Sequence, residues 1–178
     1  MPLRPGKCYR HFSGPPYTRK EYMRDFPPMR IQVFDMGNPS KNFPLELSLL
    51  VTVSGQIRHN ALEAGRMAAN RYLETRIGKE NYHFKIRVYP HHVLREHAMA
   101  VGAGADRVSE GMRLSFGRAI GTAARVKAGQ AIATIRTLPQ FEAHAKEALR
   151  RLSSKLPFPC KVVRSLLDAG PKSSPNQA

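Results

Sequence analysis

The chain has 178 residues, enough for one domain whose core needs no staples, and 42% of them are hydrophobic. Lysine and arginine number 29 against 13 acidic residues, giving a net charge of +16 and a pI near 10.5. Self-repulsion on that scale argues against a freely soluble small-molecule enzyme and for a polyanionic partner, and no run approaches the ~18 apolar residues that would span a bilayer.

The start, MPLRPGKCYRHF, lacks an apolar stretch, so no secretory signal is expected. Eight of the 14 prolines fall in the first 44 residues, and proline removes backbone donors and fixes φ. Residues 1–30 therefore read as an extended basic arm. Arg4, Lys7, Arg10, Arg19, Lys20 and Arg24 lie among the aromatics Tyr9, Phe12, Tyr17 and Tyr22. Cations interleaved with aromatics suit phosphates and bases, and Arg4, Lys7, Arg10, Tyr17, Arg19, Lys20, Tyr22 and Arg24 are the candidate RNA contacts of this arm. Cys8 and Cys160 form no CxxC and have no metal-like spacing to histidine, which predicts reduced structural thiols in a cytoplasmic protein. The Asn38-Pro39-Ser40 sequon is excluded by its proline.

Regular structure is expected from Ile31. Leu45, Leu47, Leu49, Val51 and Val53 alternate with Glu46, Ser48, Leu50 and Thr52, the period of a half-buried strand. A helix is predicted over Ile57 to Ile77, with Ala61, Leu62, Gly65, Ala68, Ala69, Tyr72 and Leu73 toward a sheet and small residues permitting close approach. A strand follows with Phe84, Ile86 and Val88 on one face and Lys85, Arg87 and Tyr89 on the other. After the segment HHVLREHAMA comes a glycine-bearing loop, 101–117. Strands over Arg118–Val126 and Ala131–Thr137 are joined by Lys127-Ala128-Gly129-Gln130, read as a hairpin turn. A second helix starts near Pro139 and carries Phe141, Ala145, Ala148, Leu149 and Leu152 on one face. Cys160–Arg164 reads as a last strand, and 167–178 as a disordered tail. The order predicts an α+β fold over residues 31–166: two layers, a mostly antiparallel sheet with two helices on one face.

The loop Val101 to Gly117 contains Gly102, Gly104, Gly111 and Gly117 with Arg107 and Arg113, and too little apolar surface to pack alone. Its functional reading is a finger that orders on RNA; its bland reading is a mobile surface loop. Gly102-Ala-Gly104 lacks the third glycine of a dinucleotide fingerprint, which falls at Arg107. His91, His92, Glu96 and His97 miss the H-x-x-E-H zinc pattern by one residue, so no metal is assigned. No nucleophile elbow and no phosphate loop occurs, and no cofactor is expected. Basic residues lie on arm, helices, strand edges and loop, rather than on one groove-reading helix, which favours folded RNA over DNA. The alternatives are an RNA-modifying or RNA-processing enzyme and an adaptor for acidic proteins.

Six blocks carry a resemblance. They are Tyr17-Thr-Arg-Lys-Glu-Tyr22, Arg58-His-Asn-Ala-Leu-Glu-Ala-Gly-Arg66 with Ala69-Asn-Arg71, Pro90-His-His-Val-Leu-Arg95, Gly102-Ala-Gly-Ala-Asp-Arg107, Gly111-Met-Arg113 and Gly121-Thr-Ala-Ala-Arg-Val126. In order and spacing they resemble the universal large-subunit ribosomal protein family called L-ten-e in archaea and eukaryotes and L-sixteen in bacteria, over roughly residues 8 to 165. The resemblance implies an α/β-hammerhead fold and a place on large-subunit rRNA near the peptidyl-transferase centre, among neighbouring ribosomal proteins. It makes Ala103, Gly104, Ala105, Asp106, Arg107, Gly111, Met112 and Arg113 a loop directed at tRNA acceptor ends, and leaves catalysis to the RNA. Further candidate rRNA contacts are Arg58, His59, Arg66, Arg71, His91, His92, Arg95, Arg118 and Arg125. An intact loop, which bacterial relatives shorten, and an ending at Ser-Pro-Asn-Gln-Ala, where eukaryotic relatives continue, imply an archaeal source.

Overall fold

The computed structural model describes residues 4–23, 26–96 and 117–166. Arg24, His97, most of the glycine-rich loop with its candidate residues from Ala103 to Arg113, and the tail 167–178 lie outside the described residues. In chain order the elements are β1 (Asp35–Gly37), β2 (Leu45–Val51), β3 (Gly55–Arg58), α1 (His59–Arg76), β4 (Tyr82–Ile86), β5 (His92–Glu96), β6 (Arg118–Val126), β7 (Ala131–Thr137), α2 (Glu142–Ser153) and β8 (Cys160–Leu166).

The α+β class holds, and the strands divide over two antiparallel sheets, one ordered β1-β4-β7-β2-β8 and the other β3-β6-β5. The alternation read in Leu45 to Val51 is the observed one: Leu45, Leu47, Leu49 and Val51 are buried. Register aligns Leu47 with Ile135, and Ile135 with Phe84, so one face of the large sheet is continuously apolar. The opposite face carries Glu46, His83, Lys85 and Arg136. Its charges are locally compensated, Glu46 by Arg136 at 2.7 Å and Asp35 by Lys85 at 3.2 Å.

Both helices join the core on the apolar face. On α1 the buried stripe is Leu62, Gly65, Ala69 and Leu73, and on α2 it is Ala145, Ala148, Leu149 and Leu152, both at helical spacing. Gly65 fulfils the expected close approach, because a Cβ there would stand 3.2 Å from Leu152 Cγ. Helix α1 stops where Ile77 N–H donates to the Leu73 carbonyl and the Asn81 side chain caps the Ile77 carbonyl. Helix α2 is preceded by a 3-10 turn, Pro139–Phe141, with Pro139 at its first position.

Two expectations need correction. Residues 57 and 58 belong to β3 rather than to the helix, since the chain stays extended until Arg58 (φ −68, ψ 149) to pair with β6. The Lys127–Gln130 turn forms, with Gln130 N–H donating to the Lys127 carbonyl at 3.1 Å, but it is not a hairpin. Its strands part into different sheets: β6 pairs with β3 and β5, whereas β7 pairs with β2 and β4. The turn is held instead by the end of β2, through Gly129 N–H to Val51 O and Val51 N–H to Gln130 O. No helix among the described residues is long and apolar enough to cross a membrane.

Candidate nucleic-acid interface

The three-stranded sheet carries five candidate residues, Arg58, His92, Arg95, Arg118 and Arg125, and the described part of the arm is tied to it. Prolines leave the arm short of N–H donors, so the sheet holds it largely through its carbonyls. The Arg4 carbonyl accepts from Arg58 Nη1 at 2.9 Å, and the Arg10 carbonyl from Gln56 N–H at 3.0 Å. The His11 carbonyl accepts from Gln56 Nε2 at 3.2 Å, the Gly14 carbonyl from Arg125 Nη1 at 2.7 Å and the Tyr17 carbonyl from Val93 N–H at 2.9 Å. Gly55 is where β3 passes closest beneath: a Cβ there would overlap the Phe158 ring and meet the Arg10 carbonyl at 2.9 Å.

The arm's aromatics have partners within the chain. The Arg58 guanidinium lies over Tyr9 at 5.5 Å, Arg95 over Tyr17 at 4.6 Å and Arg125 over Phe12 at 4.7 Å. Contacts of this kind contribute about 0.5–1 kcal/mol each at exposed sites. Arg58 and Arg125 at the same time donate to arm carbonyls, so ring and carbonyl together fix where each guanidinium sits. Tyr9 donates its hydroxyl proton to Glu96 Oε2 at 2.9 Å, and Glu96 Oε1 meets Arg4 Nε at 2.6 Å. Burial, then the Glu96 carboxylate, pushes the Tyr9 phenol up to about 12, so it remains a donor.

Two candidate histidines serve the arm rather than standing free. His92 Nδ1 accepts from Tyr17 N–H at 2.8 Å, and His59 Nδ1 accepts from Arg30 N–H at 3.0 Å. Accepting requires neutral rings. Burial first, then Arg125, His91 and Arg95, pushes His92 down to about 4, and burial, Arg30 and Arg58 lower His59. His91 differs: its Nδ1 stands 3.0 Å from the Tyr89 carbonyl, to which it donates.

The remaining candidates separate clearly. Arg66 is committed to Glu63, in a two-point pair at 2.6 and 2.9 Å that leaves its side chain 16% exposed. Lys7, Arg10, Arg19, Arg71 and Arg118 are exposed, and no ion pair holds them among the described residues. Lys20 lies in the Lys20–Tyr22 turn, and Tyr22 is 71% exposed. Arg118, opposite Glu96 at the start of β6, and Arg95 on β5 flank the points where the 97–116 segment leaves and re-enters the sheet. The arm and both ends of that segment therefore meet on one small sheet. Sequence reasoning missed Gln56 and Glu96 as anchors. Gln56 falls in the unrecognised β3, and an isolated acid among arginines was the available signal for Glu96.

The surface thus offers exposed cations and guanidiniums stacked on aromatic rings around the two ends of a glycine-rich segment. Comparison with known proteins supplies the family. The family described as Ribosomal protein L16p/L10e matches residues 12–163. The large ribosomal subunit protein uL16 of Staphylothermus marinus is 54% identical over 172 residues, 97% of this chain and 99% of that protein. Proteins of the same name from Hyperthermus butylicus and Methanococcus aeolicus are each 55% identical, covering 91% and 92% of this chain and 93% and 94% of theirs. The chain belongs to the ribosomal protein L16p/L10e family.

Proposed function

We propose that the chain is a structural constituent of the large ribosomal subunit, bound to its rRNA and contributing no catalytic group. The observation that carries this reading is full-length similarity, above half identity, to relatives named as large ribosomal subunit proteins. The sheet-and-arm surface supports it physically. Shape and phosphate recognition of folded RNA needs fixed cations spread over a surface rather than a single reading helix.

In the finer reading, residues 1–30 are the arm, 31–166 the body and 167–178 the tail. The body and arm seat on rRNA near the peptidyl-transferase centre. Arg107 and Arg113, with the glycines around them, direct the 101–117 loop toward tRNA acceptor ends and support tRNA positioning and late subunit assembly. Arg95 and Arg118, at the two ends of that segment, contact phosphates beside it. Binding of the purified chain to large-subunit rRNA is expected to weaken steeply with salt. Six phosphate contacts imply a log–log slope of about −5 on duplex RNA. Salt-independent binding would remove the electrostatic basis of the proposal.

A further inference from the structure

The small sheet is ordered β3-β6-β5, so β3 and β5 are both edge strands, each with backbone groups that face away from β6. The arm reaches both edges. Gln56 N–H of β3 donates to the Arg10 carbonyl at 3.0 Å, and Val93 N–H of β5 donates to the Tyr17 carbonyl at 2.9 Å. Two strand spacings, about 9.6 Å, separate these edges, a distance the chain from Arg10 to Tyr17 crosses with slack. The arm is thus a strap over the sheet. The large sheet protects its edges differently: β1 has only three residues, and β8 carries Lys161 and Arg164.

Apolar burial does little to hold the strap, since none of residues 4–19 is buried. Its docking depends on polar contacts, and Glu96 gathers two of them at the end of β5. Oε1 meets Arg4 Nε at 2.6 Å, and Oε2 accepts the Tyr9 hydroxyl at 2.9 Å. Charge-assisted contacts of this kind are the stronger class of hydrogen bond. Arg118 stands opposite Glu96 in the β5–β6 ladder and is the partner that sheet pairing offers. Among the described residues the carboxylate makes no ion pair with Arg118 and gives both oxygens to the arm. It is also the one carboxylate that an arm cation meets among those residues.

We infer that the arm is an edge guard latched by Glu96: docked, it closes β3 and β5 to strand pairing with a second copy of this chain. Glu96 acts as a positioning residue, through Arg4 and Tyr9. The guard works in the chain free of RNA and stands apart from the RNA-binding reading. A second copy is the partner an opened edge meets, because an uncovered edge strand is a template for another strand. With both edges open, β3 of one copy can pair with β5 of the next, head to tail. The net charge of +16 holds copies apart at low salt. At 1 M salt the screening length falls to about 3 Å, and the guard is left to act alone.

The test uses the full chain without RNA. Amide hydrogen exchange at Gln56 and Val93 reads the latch, with Leu47 and Ile135 of the large sheet as controls for folding. Glu96→Ala is expected to lower protection at both edge amides about tenfold, the order set by losing two hydrogen bonds on partly exposed side chains. Arg4→Ala/Tyr9→Phe, which changes only the arm, is expected to do the same. All three changes together should do no more than either variant, because they open one latch. Sedimentation velocity in 1 M KCl reads the guard: the wild type stays monomeric, while the latch variants associate increasingly with protein concentration. Wild-type protection of Gln56 and Val93 in Arg4→Ala/Tyr9→Phe overturns the latch, as do effects that multiply in the combined variant. Variants with open edges that stay monomeric overturn the guard. The proposed function is read separately, by the salt dependence of wild-type rRNA binding, and survives either failure.

Discussion

Acidification should release the N-terminal arm before the body unfolds. Only a neutral His92 can accept the Tyr17 N–H, and the docked surroundings hold its pKa at about 4 instead of 6.5. The released ring regains the part of the shift that burial under the arm causes, while Arg125, His91 and Arg95 stay beside it, so the undocked state binds the proton first. The docking contribution is present at neutral pH and is lost as pH falls through about 4. For a ring kept dry, such a shift corresponds to about 3 kcal/mol at 1.36 kcal/mol per unit. The ring is only half-buried, and solvent screening reduces the expected loss to about 1 kcal/mol, a roughly fivefold change in the released fraction. Amide hydrogen exchange at Tyr17 and Val93, corrected for the intrinsic pH dependence, reads this directly. Protection should fall about fivefold between pH 7 and pH 4. In His92→Asn, whose side-chain oxygen accepts without titrating, the fall should be largely abolished; the lowered His59 at the other end of the arm contributes any remainder in the same direction. Flat protection in the wild type, or an equal fall in the variant, refutes the histidine clamp.

Other outcomes follow from packing and charge. Leu149→Ala, at a fully buried position between helix and sheet, should cost about 2–5 kcal/mol in denaturant unfolding. Gly55→Ala puts a methyl group into the Phe158 ring and the Arg10 carbonyl; it should destabilise by about 1–3 kcal/mol and loosen the arm in exchange experiments. Arg107→Ala with Arg113→Ala should leave the melting temperature within about 2 °C while impairing tRNA use or late subunit assembly. Normal translation by subunits carrying both changes would take the loop out of the functional account.

What the sequence disclosed depended on whether the information was local. The strand through Leu45, Leu47, Leu49 and Val51 and the stripe of Leu62, Gly65, Ala69 and Leu73 were legible, because burial on one face imprints its own period. Strand β3 was not: four residues adjoin the helix, and Ile57 satisfies either period. The division into two sheets was hidden because pairing across β3, β5 and β6 is set by contacts far apart in the chain. For the site, composition found the cations and aromatics but not their partnerships. Tyr9, Phe12 and Tyr17 read as anchors for bases, whereas they stack on Arg58, Arg125 and Arg95 of the same chain. The carbonyls that dock the arm carry no side-chain signal at all. His59 and His92 read as RNA-facing for a similar reason, since their role as acceptors depends on two backbone N–H groups.

The central claim is tested most directly by sedimenting the tagged chain with large ribosomal subunits through a high-salt gradient. The account predicts that it travels with the large subunit after peripheral factors have been stripped, because a surface that spreads its cations over arm and sheet would be held by many contacts at once. Recovery at the top of the gradient, from cells in which the tagged chain is the sole copy, would contradict it.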